Sequence, residues 1–505
     1  MDLERQLQQH FGYESFRPGQ KEVIQTLLTG KDVIAMLPTG TGKSICYQLP
    51  ALLSKGTTLV VSPLLSLMED QVQQLRSEGI KSVIAINSFM SKGERETAIR
   101  ELHKYKIIYL SPEMLQVAFI QKQLEKLSIS FLVIDEAHCI SQWGPDFRPD
   151  YLKLGQIKKL VGNPPCLAIT ATATKQVQED IRSMMVLDDP TYVIYSVDRP
   201  EIIYRVEHCE TVQSKIERIQ QLVESLNGPG MIYFSSRMWS EKIASLLKRK
   251  GVQRVAYYHG GLATEDRLLI QQQFMNGQID VICCTSAFGM GINKKDIRYV
   301  LHFHYPVELE SYVQEVGRAA RDGRSSVAIL LYCDEDRGLV NMLLEREKLS
   351  DEQLRLLLQT VKKQRTLTLR DEQMIVNQTE CNDISWRTIR YHLEATGVLQ
   401  KEQVNSFSVD AVFLRIREEE QERYQQKQKN LELFLRWIRT NACRRERLLL
   451  YFSEELKNQP MVCCDNCGAI LEDFYKTNST KESIILIPWK ETLIDLFGQA
   501  DKVKK

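Results

Sequence analysis

Short apolar runs rich in Val, Ile and Leu alternate with longer amphipathic stretches through the first two-thirds of the chain. Continuous apolar runs of this length are typical of strands buried on both faces of a parallel sheet. The runs fall into two sets: 32–37, 58–62, 107–111, 131–135 and 167–171, then 231–235, 255–259, 281–286, 299–303 and 327–332. The pattern predicts an α/β fold with two consecutive domains, each with helices on both faces of its sheet.

Changes in this pattern indicate where the domains end. We place the first domain at 1–206 and the second at 207–340, with 196–206 as a linker strand. Residues 346–425 have few strand-like runs. There, a helix capped by Ser385 and ended by Gly397 suggests either a winged-helix or helix-turn-helix unit or a small helical packing module. Residues 426–470 hold a cysteine cluster, and 471–505 form a polar tail.

The composition narrows the class of protein. The 505 residues include 66 Lys and Arg and 65 Asp and Glu, and this net charge of +1 excludes a protein that coats nucleic acid through its overall field. Residues 1–10 are polar, and no apolar run approaches the roughly 18 residues of a membrane span. Twelve cysteines are too few for a disulfide scaffold. We expect a soluble cytoplasmic protein without membrane contact.

A phosphate-binding loop, residues 37–44 (LPTGTGKS), follows the first apolar run. Gly40 and Gly42 let the backbone curl so that several N–H groups point at one phosphate, and the next helix adds its positive end. Lys43 would reach the β- and γ-phosphates, and Ser44 would ligate Mg²⁺. Leu37 stands where the simplest pattern has its first glycine.

An acidic pair, Asp135 and Glu136, ends the apolar run 131–135. A carboxylate at the carboxyl end of a strand lies beside the phosphate loop in an open α/β sheet. We expect Asp135 to hold Mg²⁺ and Glu136 to orient the attacking water. His138 is either a satisfied surface histidine or a residue that couples the two functions of the site.

These residues, in this order, resemble helicase superfamily 2 and, within it, the RecQ family of DNA helicases. The resemblance covers about residues 1–340 and rests on the segments 11–20, 141–150, 170–173, 285–293 and 314–323. It implies two tandem RecA-like domains that hydrolyse ATP, move 3′ to 5′ on single-stranded DNA and unwind duplexes in recombination or repair.

The resemblance also assigns the nucleotide contacts. It implies that Tyr13 and Arg17 sandwich the adenine while Gln20 reads its edge, and a four-residue helical spacing would let the first two grip a flat base. Arg318 and Arg321, three apart on one predicted helical face, would reach the γ-phosphate; we favour Arg321 as the finger and Arg318 as a second clamp. The remaining predicted nucleotide-binding residues are Thr39, Gly40, Thr41, Gly42, Gly289 and Gln314.

The segment 141–150 resembles the aromatic-rich loop of the RecQ family, although Pro145 stands where the family usually has histidine. Trp143, Phe147 and Arg148 would stack on unpaired bases at about 1–3 kcal/mol per base. The alternative is a loop whose aromatic rings plug a domain edge. Further predicted contacts to the nucleic-acid backbone are Ser62, Ser66, Arg237, His259 and Thr285.

The cysteine cluster resembles the four-cysteine zinc site of the same family. Met461 occupies the position of the family's second ligand, so we expect Cys463 to replace it. The predicted Zn²⁺ ligands are Cys443, Cys463, Cys464 and Cys467, against an alternative of free or redox-active thiols. Arg444 and Arg445 would either contact phosphate or be solvated.

Compared with the family, 346–425 resembles an insertion, and 471–505 leaves no room for the winged-helix unit that usually follows the zinc site. An apolar cluster within 489–497 would bind single-strand-binding protein or another repair protein, or pack on its own domain. We expect a nucleoid-associated protein that acts on single-stranded and partly duplex DNA.

The sequence is also compatible with three other functions. They are a DNA translocase, an RNA helicase with little processive unwinding, and a nucleic-acid adaptor in which ATP is only a switch. The combination of Glu136, Arg318 and Arg321 argues against a mere switch.

Overall fold

Two parallel sheets follow each other along the chain, as the apolar runs predict. The computed structural model describes residues 2–87, 90–141, 148–288, 294–345, 349–400 and 402–476. Alternate residues of a strand enter the cores on opposite faces of the sheet. In β1, for example, Ile34 and Met36 pack in one cluster, while Val33 and Ala35 pack in another. This two-sided burial explains why the strands read as continuous apolar runs.

The first sheet has seven parallel strands in the order β3-β4-β2-β5-β6-β1-β7. Its elements are α1 Leu3–Phe11, α2 Gln20–Leu28, β1 Val33–Met36, α3 Ile45–Leu53, β2 Thr57–Val61, α4 Leu65–Ser77, β3 Val83–Ile86, α5 Lys92–Arg100, β4 Ile107–Leu110, α6 Ala118–Leu124, β5 Ile129–Asp135, α7 Leu154–Leu160, β6 Cys166–Thr170, α8 Lys175–Met184 and β7 Thr191–Ile194.

The second sheet has six parallel strands in the order β10-β11-β9-β12-β13-β8. Its elements are β8 Ile202–His208, α9 Val212–Ser225, β9 Gly230–Tyr233, α10 Arg237–Arg249, β10 Val255–Tyr258, α11 Thr264–Met275, β11 Val281–Cys284, β12 Tyr299–His302, α12 Leu309–Val316, β13 Ser326–Tyr332 and α13 Asp336–Glu345.

The strand predicted as a linker is instead part of a sheet. β8 pairs with β13 along its whole length and forms one edge of the second sheet, so it crosses the predicted boundary at 206/207. The extended linker is the short segment 196–201 before it. Two strands of the first sheet, β3 and β7, were not among the predicted runs. β7 buries only one side-chain position well, so its sequence lacks a continuous apolar run.

The region after the second sheet has the element order of a winged-helix unit. It contains α14 Asp351–Lys362, α15 Leu369–Thr379, α16 Asp383–Ala395, β14 Leu399–Gln400 and β15 Gln403–Val404. β14 and β15 form a hairpin. A bridge between Thr366 and Gln403 adds a third extended segment to it. The cap of α16 is Asn382, not Ser385 as predicted: its side chain accepts from the Ser385 N–H at 2.9 Å.

A 30-residue helix, α17 (Val409–Ile438), connects this unit to the cysteine-containing module, which begins with α18 (Arg444–Tyr451). The first part of α17 packs Val412, Phe413 and Ile416 into the winged-helix core. Its last part packs Phe434 and Leu435 into the core shared with the second sheet. The helix is continuous through residue 425, where the sequence suggests a change of module.

α16 also packs against the first domain. Lys153 Nζ lies 2.5 Å from Glu394 Oε2, and Arg387 lies 3.3 Å from Glu113 and 3.4 Å from Asp150. The winged-helix unit therefore contacts the first domain through α16 and continues into the second-domain core through α17.

Candidate nucleotide site and nucleic-acid track

The phosphate loop, residues 37–44, joins β1 to α3 at the carboxyl edge of the first sheet. Gly40 and Gly42 have left-handed backbones, with φ of 85° and 73°. A Cβ at Gly40 would lie 3.1 Å from Cγ of Arg321. Leu37 is buried, and its N–H donates to the last carbonyl of β6 at 3.0 Å. Position 37 thus continues the strand pairing, which explains why no glycine is needed there.

Lys43 and the acidic pair converge at this loop. Lys43 Nζ lies 3.9 Å from Glu136 Oε2, and Glu136 has a left-handed backbone with φ of 47°. Burial and the neighbouring Glu136 raise the pKa of Asp135 to about 7, although Lys43 acts in the opposite direction. Burial opposes ionisation of Glu136 as well, but Lys43 and the cations around it lower its pKa. Of the two carboxylates, Glu136 is therefore the one that ionises more readily.

Arg318 and Arg321 form the opposite wall of the cleft. The prediction that they lie on one helical face is wrong, because α12 ends at Val316 and both residues lie in the turn that follows. Burial and the neighbouring guanidinium groups lower the pKa of Arg321. The cleft, of about 260 Å³, is nevertheless lined by both arginines together with the phosphate loop and the acidic pair.

Gln314 connects the two domains beside the nucleotide cleft. Its amide Nε2 donates to Thr172 Oγ1 at 2.9 Å and lies 3.4 Å from His138 Nε2. His138 Nδ1 lies 2.8 Å from Thr170 Oγ1 and 3.5 Å from Glu136 Oε2. His138 is 1% exposed, so it is not a surface histidine. It contacts residues of both domains.

The predicted adenine contacts lie in a loop. α1 ends at Phe11 and α2 begins at Gln20, so the helical spacing proposed for Tyr13 and Arg17 is wrong. Both still line the nucleotide cleft, and Tyr13 is 49% exposed. Gln20 Nε2 donates to the carbonyls of Thr41 at 2.8 Å and Gly42 at 2.9 Å, so in this arrangement Gln20 braces the phosphate loop.

The predicted backbone-binding residues follow the carboxyl ends of strands in both sheets. Ser62 follows β2, His259 follows β10 and Thr285 follows β11, while Ser66 and Arg237 lie in the first turns of α4 and α10. Because the carboxyl ends of parallel strands share one edge, the residues of each domain lie at the carboxyl edge of their own sheet.

Two of these side chains are not open to a ligand in this arrangement. His259 is 4% exposed; its Nδ1 accepts from the Gly261 N–H at 3.1 Å, and its Nε2 donates to Glu241 at 2.7 Å. Ser62 is 1% exposed, and its hydroxyl has no hydrogen-bond partner within the described part of the chain. His259 shapes the Gly260–Gly261 turn instead of facing the track.

Arg148 is the described member of the predicted base-stacking group. Its NH1 lies 3.4 Å from Glu113, the same carboxylate that pairs with Arg387 of α16. Trp143, Phe147 and Gly289, and the apolar cluster of the tail, lie outside the described residues.

Sequence reasoning missed several residues that line the cleft. Gln48 donates to Gln71 at 2.8 Å, and both line the cleft, as do Gln74 and Lys295. Isolated glutamines carry no motif signal. Lys295 follows the segment 285–293 closely, and that proximity was the one available hint.

The four predicted zinc ligands form one cluster, with their sulfur atoms all within 4.8 Å of one another. The sulfurs of Cys443 and Cys463 are 3.5 Å apart, as are those of Cys464 and Cys467. Tetrahedral Zn²⁺ with bonds of about 2.3 Å separates its sulfur ligands by about 3.8 Å, so the cluster fits this ion. Met461 is fully exposed, and Cys463 takes the expected place.

Arg444 and Arg445 are neither solvated nor open to phosphate. Both alternatives predicted for them from the sequence are therefore wrong. They are 4% and 0% exposed. Arg444 Nε donates to Asp465 at 2.6 Å, and Arg445 donates to Asp198. Both arginines therefore brace the cysteine module internally and against the linker between the sheets.

In the described part of the chain, every helix is too short or too polar to cross a membrane.

Comparison with known families agrees with this arrangement. Residues 17–181 match the DEAD/DEAH box helicase family, residues 214–323 match the helicase conserved C-terminal domain, and residues 401–468 match the RecQ zinc-binding family.

Two bacterial relatives illustrate the extent of the likeness. The probable ATP-dependent DNA helicase RecS of Bacillus subtilis is 42% identical over 98% of this chain and 98% of its own length. The ATP-dependent DNA helicase RecQ of Pasteurella multocida is 43% identical over 68% of this chain and 54% of its own length. The chain therefore spans nearly all of the first relative and about half of the second.

Solved structures show the same fold at low identity. The helicase Lhr of Mycobacterium smegmatis, bound to single-stranded DNA and AMP-PNP, aligns over 78% of this chain and 57% of its own with a TM-score of 0.57 and 19% identity. The DEAD-box helicase Mss116, bound to single-stranded RNA, aligns over 79% of this chain and 94% of its own with a TM-score of 0.56 and 16% identity.

Proposed function

Because the chain belongs to the RecQ family of ATP-dependent DNA helicases, we propose that it couples ATP hydrolysis to 3′-to-5′ movement on single-stranded DNA and to duplex unwinding in recombination or repair. One observation carries this proposal. A single cleft is lined by Lys43 and the acidic pair of one sheet domain and by Arg318 and Arg321 of the other. A nucleotide held there would connect both domains.

The residues of the first domain bind and orient the nucleotide. The backbone amides of the phosphate loop, with Lys43, would hold the phosphates. Tyr13, Arg17 and Gln20, which line the same cleft, would contact the base. Ser44 and Asp135 offer the oxygen ligands that Mg²⁺ prefers. When bound, this ion neutralises phosphate charge.

Hydrolysis then depends on one base and two cations. Glu136, whose pKa is lowered by its cationic neighbours, orients the attacking water and accepts a hydrogen bond from it. Arg321, with Arg318 beside it, stabilises the charge that develops on the transferred phosphoryl group. Because these arginines come from the second domain, the competent site exists only when the cleft is closed.

Movement follows from cleft closure and opening. Gln314 contacts Thr172 and His138 across the cleft. Hydrolysis of the nucleotide and separation of the two domains therefore both change these contacts. Ser66, Arg237 and Thr285 would hold the strand backbone, and Trp143, Phe147 and Arg148 would stack on its bases. Alternate gripping by the two domains advances the protein along single-stranded or partly duplex DNA.

The remaining assignments concern structure and location. Zn²⁺ would stabilise the module around Cys443, Cys463, Cys464 and Cys467. The tail would recruit single-strand-binding protein or another repair protein. The protein would act in the cytoplasm at the nucleoid.

A second candidate is a translocase with little processive unwinding. It is favoured by the docking of α16 on the first domain through Arg387 and the Lys153–Glu394 pair. A helix held in this way is not available to enter a duplex groove.

Strand displacement tests both candidates. DNA and RNA duplexes with a 3′ tail, a 5′ tail or blunt ends are incubated with and without ATP. We expect ATP-dependent displacement of 3′-tailed DNA only. DNA-stimulated hydrolysis without displacement would favour the translocase, and equal action on 5′-tailed DNA or on RNA would contradict the proposed function.

A further inference from the structure

The linker between the two sheet domains reaches the back of the nucleotide cleft through Arg199. Its side chain is 13% exposed. Its NH1 donates to the carbonyls of Thr39 at 3.1 Å and Gly317 at 3.2 Å, and its NH2 donates to those of Ala319 at 3.2 Å and Ala320 at 2.8 Å. One guanidinium therefore connects the phosphate loop to the turn that carries Arg318 and Arg321.

The acceptors of Arg199 explain why an arginine is suited to this position. α12 ends at Val316, so the carbonyls that follow lack donors from a continuing helix. A planar guanidinium presents several N–H groups in fixed directions and can satisfy diverging carbonyls at once, whereas an ammonium is a compact point charge. Thr39 adds its hydroxyl, which donates to the Gly317 carbonyl at 2.6 Å.

The turn depends on such external support. Ala320, directly before Arg321, has a left-handed backbone with φ of 55°. A residue with a Cβ adopts this region at a cost and keeps it only where its surroundings impose it. The bond from Arg199 to the Ala320 carbonyl is one of those constraints. The direction in which Arg321 leaves the turn therefore depends on Arg199.

Arg199 is itself held from the opposite side by the cysteine module. Arg445 donates to the Asp198 carboxylate, to the Arg199 carbonyl at 2.9 Å and to the Ile202 carbonyl. The Glu454 carboxylate accepts from the Val197 N–H at 3.1 Å and from the Ser196 hydroxyl. These bonds fix the linker on both sides of Arg199.

We propose that Arg199 is a positioning residue for ATP hydrolysis. It holds the turn 317–321 against the phosphate loop so that Arg318 and Arg321 reach the γ-phosphate, and Glu454 and Arg445 act through it by fixing the linker. This inference rests on the proposed function.

The test compares Arg199→Ala and Arg199→Lys with a matched control, Arg182→Ala, an arginine on α8 with a side chain that is 49% exposed. ATP hydrolysis is measured with saturating single-stranded DNA, and binding of a fluorescent ATP analogue is measured separately. Arg199→Ala should lower kcat by about tenfold to a hundredfold, because misplaced catalytic groups cost about that much. Nucleotide affinity should change by less than about threefold, because Arg199 does not line the nucleotide cleft.

Arg199→Lys should recover part of kcat, since an ammonium replaces some of the carbonyl contacts. Glu454→Gln offers a milder, independent perturbation of the linker. It should lower kcat by about twofold to fivefold. The double variant Arg199→Ala with Glu454→Gln should have the same kcat as Arg199→Ala alone, because the two residues would act as one unit.

Unchanged kcat in Arg199→Ala would overturn the inference while leaving the proposed function intact. Parallel losses of kcat, nucleotide affinity and melting temperature, without recovery by lysine, would assign Arg199 a merely structural role and also overturn it. Absence of DNA-stimulated hydrolysis in both the wild type and Arg182→Ala would instead overturn the proposed function and the inference with it.

Discussion

Charge neutralisation inside the nucleotide cleft depends on a few side chains. Lys43 faces Glu136 at 3.9 Å, and Asp135 lies buried behind it. The two carboxylates respond differently to this environment: burial raises the pKa of Asp135 to about 7, whereas cationic neighbours lower that of Glu136. Removing one cation therefore changes both the contacts to the phosphates and the pKa values of the two carboxyl groups.

Lys43→Ala should reduce ATP hydrolysis by about a hundredfold to a thousandfold, because a charged donor to the phosphates is lost from a preorganised site. Binding of single-stranded DNA should change little, since Lys43 lies in the nucleotide cleft. Phosphate release and DNA-binding anisotropy check the two outcomes. Lys31→Ala, at an exposed position, is the control; wild-type turnover in Lys43→Ala would contradict the assignment of the phosphate loop.

A pH effect on stability is expected from His304. Burial, with a smaller contribution from Lys215, lowers the pKa of this histidine to about 3. Between about pH 6.5 and pH 3 the unfolded chain therefore binds a proton that the folded chain does not, so stability falls as the pH falls. At pH 5.5 the resulting loss of unfolding free energy is about 1.4 kcal/mol.

His304→Gln should reduce the loss of stability between pH 7.5 and pH 5.5 by that amount, measured from urea unfolding at both pH values. The exposed residue His103 provides the control, and His103→Gln should keep the wild-type difference. An unaltered pH dependence in His304→Gln would show that this histidine is protonated in the folded state.

Residues carried by local motifs could be predicted from the sequence, but those defined by long-range contacts could not. The phosphate loop, the acidic pair and the two arginines all line one cleft. Arg199 gave no signal, because its partners Thr39 and Gly317 are distant in sequence. Arg445 was misjudged for the same reason: its partner Asp198 is 247 positions away.

Most strands buried on both faces could be predicted, although β3, which is also buried at every position, was missed. β1 and β6 have every position buried, so their apolar runs are continuous. The helical spacings assigned to Tyr13–Arg17 and Arg318–Arg321 failed because both pairs lie in turns beyond a helix end. A motif shows which residues cooperate, but the backbone between them depends on what packs around it.

The cysteine module supports a prediction about metal binding. The purified protein should contain about one zinc ion per chain. Cys463→Ser should lose the ion and lower the melting temperature, because Cys463 is buried among the other three sulfurs. Met461→Ala should keep the ion, since Met461 is fully exposed. Metal analysis checks each variant; a folded, metal-free wild type would exclude the zinc site.

The docking of α16 on the first domain can be tested by exchanging charges. Lys153→Glu places two carboxylates together and should increase hydrogen exchange in α16 by about threefold to tenfold. The double variant Lys153→Glu with Glu394→Lys should restore slow exchange, because the pair at 2.5 Å is re-formed with reversed polarity. If exchange in the single variant matched that of the wild type, the pair would contribute nothing to docking.

At the scale of the whole molecule, the winged-helix unit and the cysteine module connect the two sheet domains outside the nucleotide cleft. α16 contacts the first domain, and the end of α17 lies in the core of the second. A change in the relative position of the two sheet domains would therefore also act on α17.

Breaking α17 should separate hydrolysis from unwinding. Two glycines inserted between Gln428 and Lys429, where the helix is exposed, would rotate its two ends by about 200° relative to each other. DNA-stimulated ATP hydrolysis should stay within about threefold of wild type, because the nucleotide cleft is untouched, while strand displacement should fall by about fivefold or more.

The same insertion between Gly162 and Asn163, in an exposed turn, is the control and should affect neither activity. Equal losses of hydrolysis and displacement in the α17 variant would mean that the helix supports the nucleotide site itself. Full displacement in that variant would mean that unwinding does not depend on a rigid α17.

The length of α17 has a mechanical consequence. Thirty helical residues make a rod of about 45 Å. Its carboxyl end is clamped in the second-domain core, while its amino end carries the β14–β15 hairpin unit. A tilt of only about 5° at the clamped end would swing the far end by about 4 Å, roughly the spacing of one base pair along a duplex. α17 is therefore long enough to turn a small rotation at its clamped end into a displacement of several ångströms at its far end.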